Sequence, residues 1–227
     1  PLAAESMYKV AVVLEVMQNQ SQAAHAFQRV YGFYPGSSYA LQGLQHAIRI
    51  YETIGDTAKA ETVADLVLKT FPTSTAADQV RLRKSRWLLA RKDVLKAKSL
   101  LIRLSAQTRI DSLAAEALME LGRIYRSELN WDKAKATWTL AANKDPHCRA
   151  AFEATLEIAN LFLYQGLTAQ AIEILTSPEN QHRGEFEKSE STVKLGDTYY
   201  HQGDYDKAYS LYQQAASDNP DARLKSA

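Results

Sequence analysis

The fold is decided by residues 195–212, Leu195-Gly196-Asp197-Thr198-Tyr199-Tyr200-His201-Gln202-Gly203-Asp204-Tyr205-Asp206-Lys207-Ala208-Tyr209-Ser210-Leu211-Tyr212. Leu195, Gly196 and Tyr199 fall at i, i+1 and i+4. Ala208, Tyr212 and, just beyond, Ala215 fall at i, i+4 and i+7. Both spacings put apolar residues on one face of a helix. Between them Gly203-Asp204 is a turn pair. The stretch predicts two antiparallel helices joined by a tight turn.

Stepping back from Ala208 by 37 residues gives Ala171, Ala134, Ala97, Ala60 and Ala23, every one an alanine. The same step from Tyr212 reaches Leu175, Trp138, Leu101, Ala64 and Phe27. From Tyr199 it reaches Phe162, Tyr125, Leu88, Tyr51 and Leu14, and from Gly196 it reaches Ala159, Gly122, Ser85, Ile48 and Ala11. Pro35, Pro72, Pro146 and Pro220 are spaced by multiples of 37. A period of this length marks a stack of helix pairs. One pair cannot bury its apolar stripe alone, whereas stacked pairs share a continuous core. The units are residues 4–40, 41–77, 78–114, 115–151, 152–188 and 189–225, together one array over residues 1–227 with twelve helices. The small residues at Gly122, Gly196, Ala11 and Ala159 let the two helices of a unit approach closely. Proline in the linker cannot continue the second helix, because it lacks a backbone donor. Ser37, Ser74 and Asp111 share one linker column, where each is expected to cap the next helix.

Composition agrees. The chain has 227 residues and 27 Lys+Arg against 26 Asp+Glu, with 46% hydrophobic residues. That is the balance of an ordinary folded protein. No apolar run approaches the ~18 residues of a membrane helix. A single cysteine, Cys148, excludes an internal disulfide framework and a cysteine-based zinc cluster. The start at Pro1-Leu2-Ala3-Ala4 reads as that of a mature or excised segment.

The residues Leu195-Gly196, Tyr199, Gly203, Ala208, Tyr212, Ala215 and Pro220 resemble the tetratricopeptide repeat, as do Leu121-Gly122, Tyr125, Ala134, Trp138, Ala141 and Pro146. The resemblance covers essentially the whole chain. It implies an all-α solenoid of six helix–turn–helix repeats wound as a right-handed superhelix, and a non-enzymatic scaffold without a cofactor. The third unit departs from the pattern, with Lys84-Ser85 at the Leu-Gly position and Arg109 at the proline position. So does the fifth, with Pro178 inside its second helix and Arg183 at the proline position. That helix is expected to end near Thr176. The usual period of the family is 34. The longer linkers here, such as Tyr34-Pro35-Gly36-Ser37 and Phe71-Pro72-Thr73-Ser74, resemble those of bacterial envelope scaffolds of the Tol-Pal coordinator and outer-membrane assembly lipoprotein type. The resemblance implies a periplasmic or envelope location, with a cytoplasmic one as the alternative.

No nucleotide-binding, zinc-protease or serine-hydrolase motif is present. The five histidines are scattered, and His147-Cys148 lies in a linker. Asp204 and Asp206 open a helix, where carboxylates suit the dipole. Trp87, Trp131 and Trp138 fall at packing positions and read as core.

Charge is more informative. By unit, the net charge runs 0, −1, +7, +1, −4 and −2. The third unit holds ten basic residues against Asp78, Asp93 and Asp111, and like charges so crowded repel. The resemblance implies a concave groove lined by the first helix of each unit. Along one groove column stand Val12, Arg49, Arg86, Arg123, Asn160 and Asp197; along another, Lys9, His46, Arg83, Glu120, Glu157 and Lys194. Arg126 stands near Arg123. The groove from the second to the fourth unit is therefore expected to be basic, with Arg49, Arg83, Arg86, Arg123, Arg126, His46 and Asn160 as candidate contacts for an acidic segment of a protein partner. The competing reading is that the arginines pair with glutamates, Arg49 with Glu52 and Arg123 with Glu120 at helical spacing, or with acids on adjacent units. Arg86 has no acidic residue three or four positions away on its own helix. Two other functions stay open: an anionic-polysaccharide scaffold, and a regulatory segment of a longer protein. Nucleic acid is not expected, since the acidic fifth and sixth units repel it. At the C-terminal end, where a seventh helix would begin near Ser226, the expectation is either more chain in the natural protein or a contact covering the last helix, with the side carrying Tyr205 and Tyr209 as the candidate for self-association.

Overall fold

The computed structural model describes residues 2–177 and 184–218. Among these residues it has twelve helices and no strand. They are α1 (Leu2–Val16), α2 (Gln20–Phe33), α3 (Ser38–Thr53), α4 (Thr57–Thr70), α5 (Thr75–Ala90), α6 (Val94–Gln107), α7 (Asp111–Ser127), α8 (Trp131–Lys144), α9 (Arg149–Tyr164), α10 (Thr168–Leu175), α11 (Glu185–Gln202) and α12 (Tyr205–Asp218). The expectations placed on Pro178, Arg183, Pro220 and Ser226 lie outside the described residues. The chain forms two compact parts, one up to Leu104 and one from Ser105 onward.

The period is written in the backbone. Within every unit the turn between the two helices contains one residue with positive φ: Gln18, Gly55, Lys92, Leu129, Gly166 and Gly203, each 37 after the last. Three are glycine, which takes this conformation without penalty. The others pay roughly 1 kcal/mol each in steric strain. The next residue usually caps the second helix. Asp56, Asp93, Asn130 and Asp204 accept the backbone N–H of Lys59, Lys96, Lys133 and Lys207 at 3.1–3.4 Å. The three aspartates also hold the lysine ammonium groups, at 2.7–2.8 Å.

The linkers follow proline. The N–H of Tyr34 and of Phe71 closes its helix on Val30 and Val67, and Pro35 and Pro72 come next. Where the third unit has Arg109 instead, Thr108 Oγ1 accepts the N–H of Ile110 and makes the turn. Of the three expected caps only Ser74 acts as one, accepting from Ala77 at 3.1 Å. Ser37 makes no capping bond. Asp111 lies inside α7 as its first residue and reaches Lys144 at 3.1 Å instead. Cys148, unexpectedly, does cap α9: its Sγ accepts from Ala151. α10 ends at Leu175, with Thr176 as its cap.

The alanine column is buried throughout: Ala23, Ala60, Ala97, Ala134, Ala171 and Ala208. Opposite it, volume is traded within each unit. A Cβ on Gly122 would stand 2.3 Å from the Trp138 ring, and one on Gly196 2.7 Å from the Tyr212 ring. The same two columns read Ala11 with Phe27, Ile48 with Ala64, and Ala159 with Leu175, all buried. A small residue on one helix always answers a larger one on the other, so each unit fills its interior at close packing. In the first part Phe27, Leu44, Ile48, Tyr51 and Val67 form the centre of the core. In the second, Met119, Trp138, Phe162 and Leu175 do.

Candidate functional site

The first helix of each unit carries the arginines singled out by the sequence. In the first part, Arg49 on α3 donates to Glu15 on α1 at 2.7 Å, and Arg83 on α5 pairs with Glu52 on α3. Arg91 reaches Glu61 at 2.7 Å, and Lys84 pairs with Asp65. Three of the ten basic residues of the third unit thus pair with acids of the second, and Arg81 and Lys96 pair within the unit with Asp78 and Asp93. In the second part, Arg123 on α7 pairs with Glu153 on α9 at 3.0 Å and lies 3.6 Å from Glu120; Arg126 pairs with Glu157 at 2.6 Å. Inter-unit pairing is therefore realised for Arg49, Arg83, Arg123 and Arg126. Glu52 pairs with Arg83, and Arg49 with Glu15, rather than with each other. The four arginine side chains remain 40–53% exposed. Each pair at that exposure contributes about 0.2–1 kcal/mol. Arg86 is exposed on α5.

His46 is held beside Arg49. Its Nδ1 accepts from the Arg49 guanidinium at 2.9 Å, so Nε2 carries the proton and faces the Tyr8 hydroxyl at 2.9 Å. The ring stacks on Phe27 at 4.8 Å. Burial, and then the Arg49 charge, push the imidazole pKa below its ordinary value.

In the second part, Asn160 joins two depressions. The first, about 190 Å³, is lined by Arg126, Trp131, Trp138, Glu157, Asn160, Leu161 and Tyr164. The second, about 490 Å³, is more polar and includes Lys194, Asp197, Thr198 and His201. The Asn160 amide has no hydrogen-bond partner among the described residues. Of the three tryptophans, Trp138 is fully buried and donates to the Met119 carbonyl at 3.3 Å. Trp131 is only half-buried and stacks on the exposed Tyr164, centroids 5.1 Å apart. Sequence reasoning placed Trp131 in the core and passed over Tyr164. The available signal was position: both stand at a helix end, one at the start of α8 and one at the end of α9, outside the buried stripe.

The remaining candidates are structural. Burial pushes the Cys148 thiol pKa up, away from the thiolate needed for nucleophilic chemistry. The bond from the Lys207 ammonium holds the Asp204 carboxyl below the usual range, so it is no proton donor near neutrality. Among the described residues no cluster of His, Cys, Asp and Glu could hold a metal, and no helix is long and apolar enough to cross a membrane.

Comparison with known proteins agrees with the repeat. Two tetratricopeptide-repeat family models match, one over residues 189–222 and the other over 5–37 and 116–147. No curated protein sequence matches the chain. Among solved structures it is similar to PilF of Pseudomonas aeruginosa, with a TM-score of 0.67 and 16% identity over 96% of this chain and 92% of that one. It is also similar to PilW, a type IV pilus biogenesis factor, with a TM-score of 0.65 and 15% identity over 97% and 95%. A third is YrrB, a tetratricopeptide-repeat protein with an unusual peptide-binding site, with a TM-score of 0.54 and 14% identity over 88% and 96%. At these identities the likeness is one of fold. Repeat columns, backbone turns and family matches converge: residues 5–37, 116–147 and 189–222 match tetratricopeptide repeats, and the described residues have the all-α fold of a tetratricopeptide-repeat solenoid.

Proposed function

We propose that the six units over residues 1–227 serve as one non-catalytic scaffold that binds an acidic segment of a partner protein along the face lined by the first helices. Arg49, Arg83 and Arg86, with His46, would make the contacts in the second and third units; Arg123, Arg126 and Asn160 would extend them. The observation that carries this reading is the half-exposed state of the paired arginines. A guanidinium has five N–H donors, and a single glutamate leaves several of them facing solvent. An incoming carboxylate can take those donors without displacing the glutamate. The +7 charge of the third unit favours an acidic segment there over a basic one. The peptide-binding site named for YrrB and the pilus-biogenesis role named for PilW support a peptide ligand and an envelope setting.

The test is selection of a random peptide library on the purified chain, followed by affinity measurements on variants. Selected peptides should be rich in Asp and Glu, and binding should weaken as salt rises. Arg86→Glu should abolish it with helical content kept. Arg86→Lys should weaken it by about 1 kcal/mol, through loss of bidentate geometry. If Arg86→Glu leaves binding intact and lowers thermal stability, the arginines serve only to join units. If uronate polymers bind and peptides do not, the polysaccharide alternative replaces this reading.

A further inference from the structure

We propose that the cavity between the fourth and fifth units, walled by Trp131, Trp138, Leu161 and Tyr164, is a specificity subsite for one aromatic side chain of the bound segment. The proposal rests on the peptide-scaffold reading for its ligand and deepens it, since nothing in the arginine row selects for a ring.

Three features of the site point to an aromatic occupant. The first is size. The cavity is about 190 Å³, and a cavity of about 150 Å³ lined by apolar side chains suffices to hold benzene. A six-membered ring therefore fits, and an indole fills it further. The second is the wall. Trp131 and Tyr164 are already stacked on each other, 5.1 Å apart and 28° from parallel, so the two rings make one continuous π surface. Aromatic pairs gain about 0.5–1.5 kcal/mol beyond the area they bury. Tyr164 is 75% exposed. A large aromatic ring at that exposure gains most of its burial only when something covers it.

The third is charge. The two ionised groups at the cavity, Arg126 and Glu157, are bonded to each other at 2.6 Å, and the Arg126 guanidinium lies 5.8 Å from the Trp138 ring centre. The rim is thus electrically balanced. A carboxylate or a uronate entering here meets a rim whose net charge Glu157 has already cancelled, whereas a neutral ring needs no net charge to hold it. Asn160 supplies an amide with both a donor and an acceptor at the edge of the cavity. It can hold the backbone of the residue whose ring is inserted.

The experiment uses the full chain, with the indole N–H signals of its tryptophans followed by NMR. N-acetyltryptophanamide, N-acetylleucinamide and methyl glucuronide are titrated separately. The aromatic amide should shift the Trp131 signal and leave Trp87 unmoved, with an affinity at least fivefold tighter than the leucine amide. Tyr164→Ala should weaken it at least fivefold; Tyr164 is exposed, so its loss leaves the core intact. An unmoved Trp131 signal, or equal response to the leucine amide, overturns the proposal. A stronger response to methyl glucuronide makes the cavity a sugar site and also overturns it.

Peptide selection separates this proposal from the one beneath it. On the unaltered chain, selected peptides should share one aromatic position as well as acidic residues. Selection on Tyr164→Ala should lose the aromatic position and keep the acids; Arg86→Glu, which removes binding of acidic peptides, should leave the response of the Trp131 signal to the aromatic amide unchanged. Recurring aromatics without acids would sink the acidic-groove reading and leave the subsite standing. Acids without an aromatic would do the opposite. If no peptide is selected, the scaffold reading falls, and the amide titration alone decides the cavity.

Discussion

The second and fourth units fill the same interior in opposite ways. In the second, the first helix supplies the bulk through Ile48 and the second helix yields with Ala64; in the fourth, the first helix yields with Gly122 and the second fills the space with Trp138. Their ion pairs are reversed as well. Glu52 of the second unit accepts from Arg83 of the unit that follows it, whereas Arg123 of the fourth donates to Glu153 of the unit that follows it. The lesson is that a repeat keeps a sum and not a residue: the summed volume across two columns. The reversal of ion-pair direction also accounts for the charge profile. Across units, the arginines pair with acids on an earlier helix in the first part and with acids on a later helix in the second, so basic residues gather in the third and fourth units and acids in the fifth.

The volume trade can be broken most sharply at Ile48. Ile48→Ala should cost about 2–5 kcal/mol, because Ala64 opposite cannot fill the cavity. Gly122→Ala should cost about 1–3 kcal/mol by driving a methyl group into Trp138. The telling measurement is rescue, by urea unfolding. Adding Ala64→Leu to the first variant, or Trp138→Leu to the second, recreates the pairing of Ala159 with Leu175. Each double variant should recover most of the loss; additive losses would show that the two columns do not share one space.

The turns allow a comparison at lower stakes. Gly203→Ala forces a Cβ into the left-handed region and should cost about 1 kcal/mol. Leu129→Gly at the matching turn of the fourth unit should give a smaller gain, since glycine also loosens the unfolded chain. Thermal melts of both variants check the pair, and a loss at Leu129 would mean that its side chain is making a contact that outweighs its strain.

For the ion pairs, Arg126→Glu should destabilise by up to about 1 kcal/mol, and Arg126→Glu with Glu157→Arg should recover most of it. A double-mutant cycle giving no coupling would reduce the reversed direction to a surface accident.

The smallest effect should be one of pH, confined to the first part. The His46 pKa is pushed below the value it has in the unfolded chain. The unfolded state therefore takes up a proton first as pH falls. The stability His46 contributes is present above its unfolded pKa of about 6.5 and is lost as pH drops through the lower folded value. Protonation also ends the bond from Arg49 to Nδ1. Urea unfolding between pH 7.5 and 5 should show this loss, and His46→Gln should flatten it; an unchanged slope would assign the dependence to another group.

The sequence by itself determined the period, the twelve helices, the buried alanine column and the early end of α10. These follow from local chemistry repeated at a fixed interval: a helical apolar stripe, a turn residue, a proline, each read without knowing what lies opposite. It also identified the arginines that stand on the first helices. Only the tertiary structure decided their partners: Glu52 lies three residues from Arg49 on the same helix yet pairs with Arg83 of the next unit, and that choice depends on how adjacent helices sit. The same holds for the caps. Ser37, Ser74 and Asp111 share a column, but the missing proline at Arg109 shifts the start of α7 and carries Asp111 inside it. Trp131 and Tyr164 lie far apart along the chain on different units. Their stacking, and the cavity they wall, depend on the packing of α8 against α9, which no residue encodes alone.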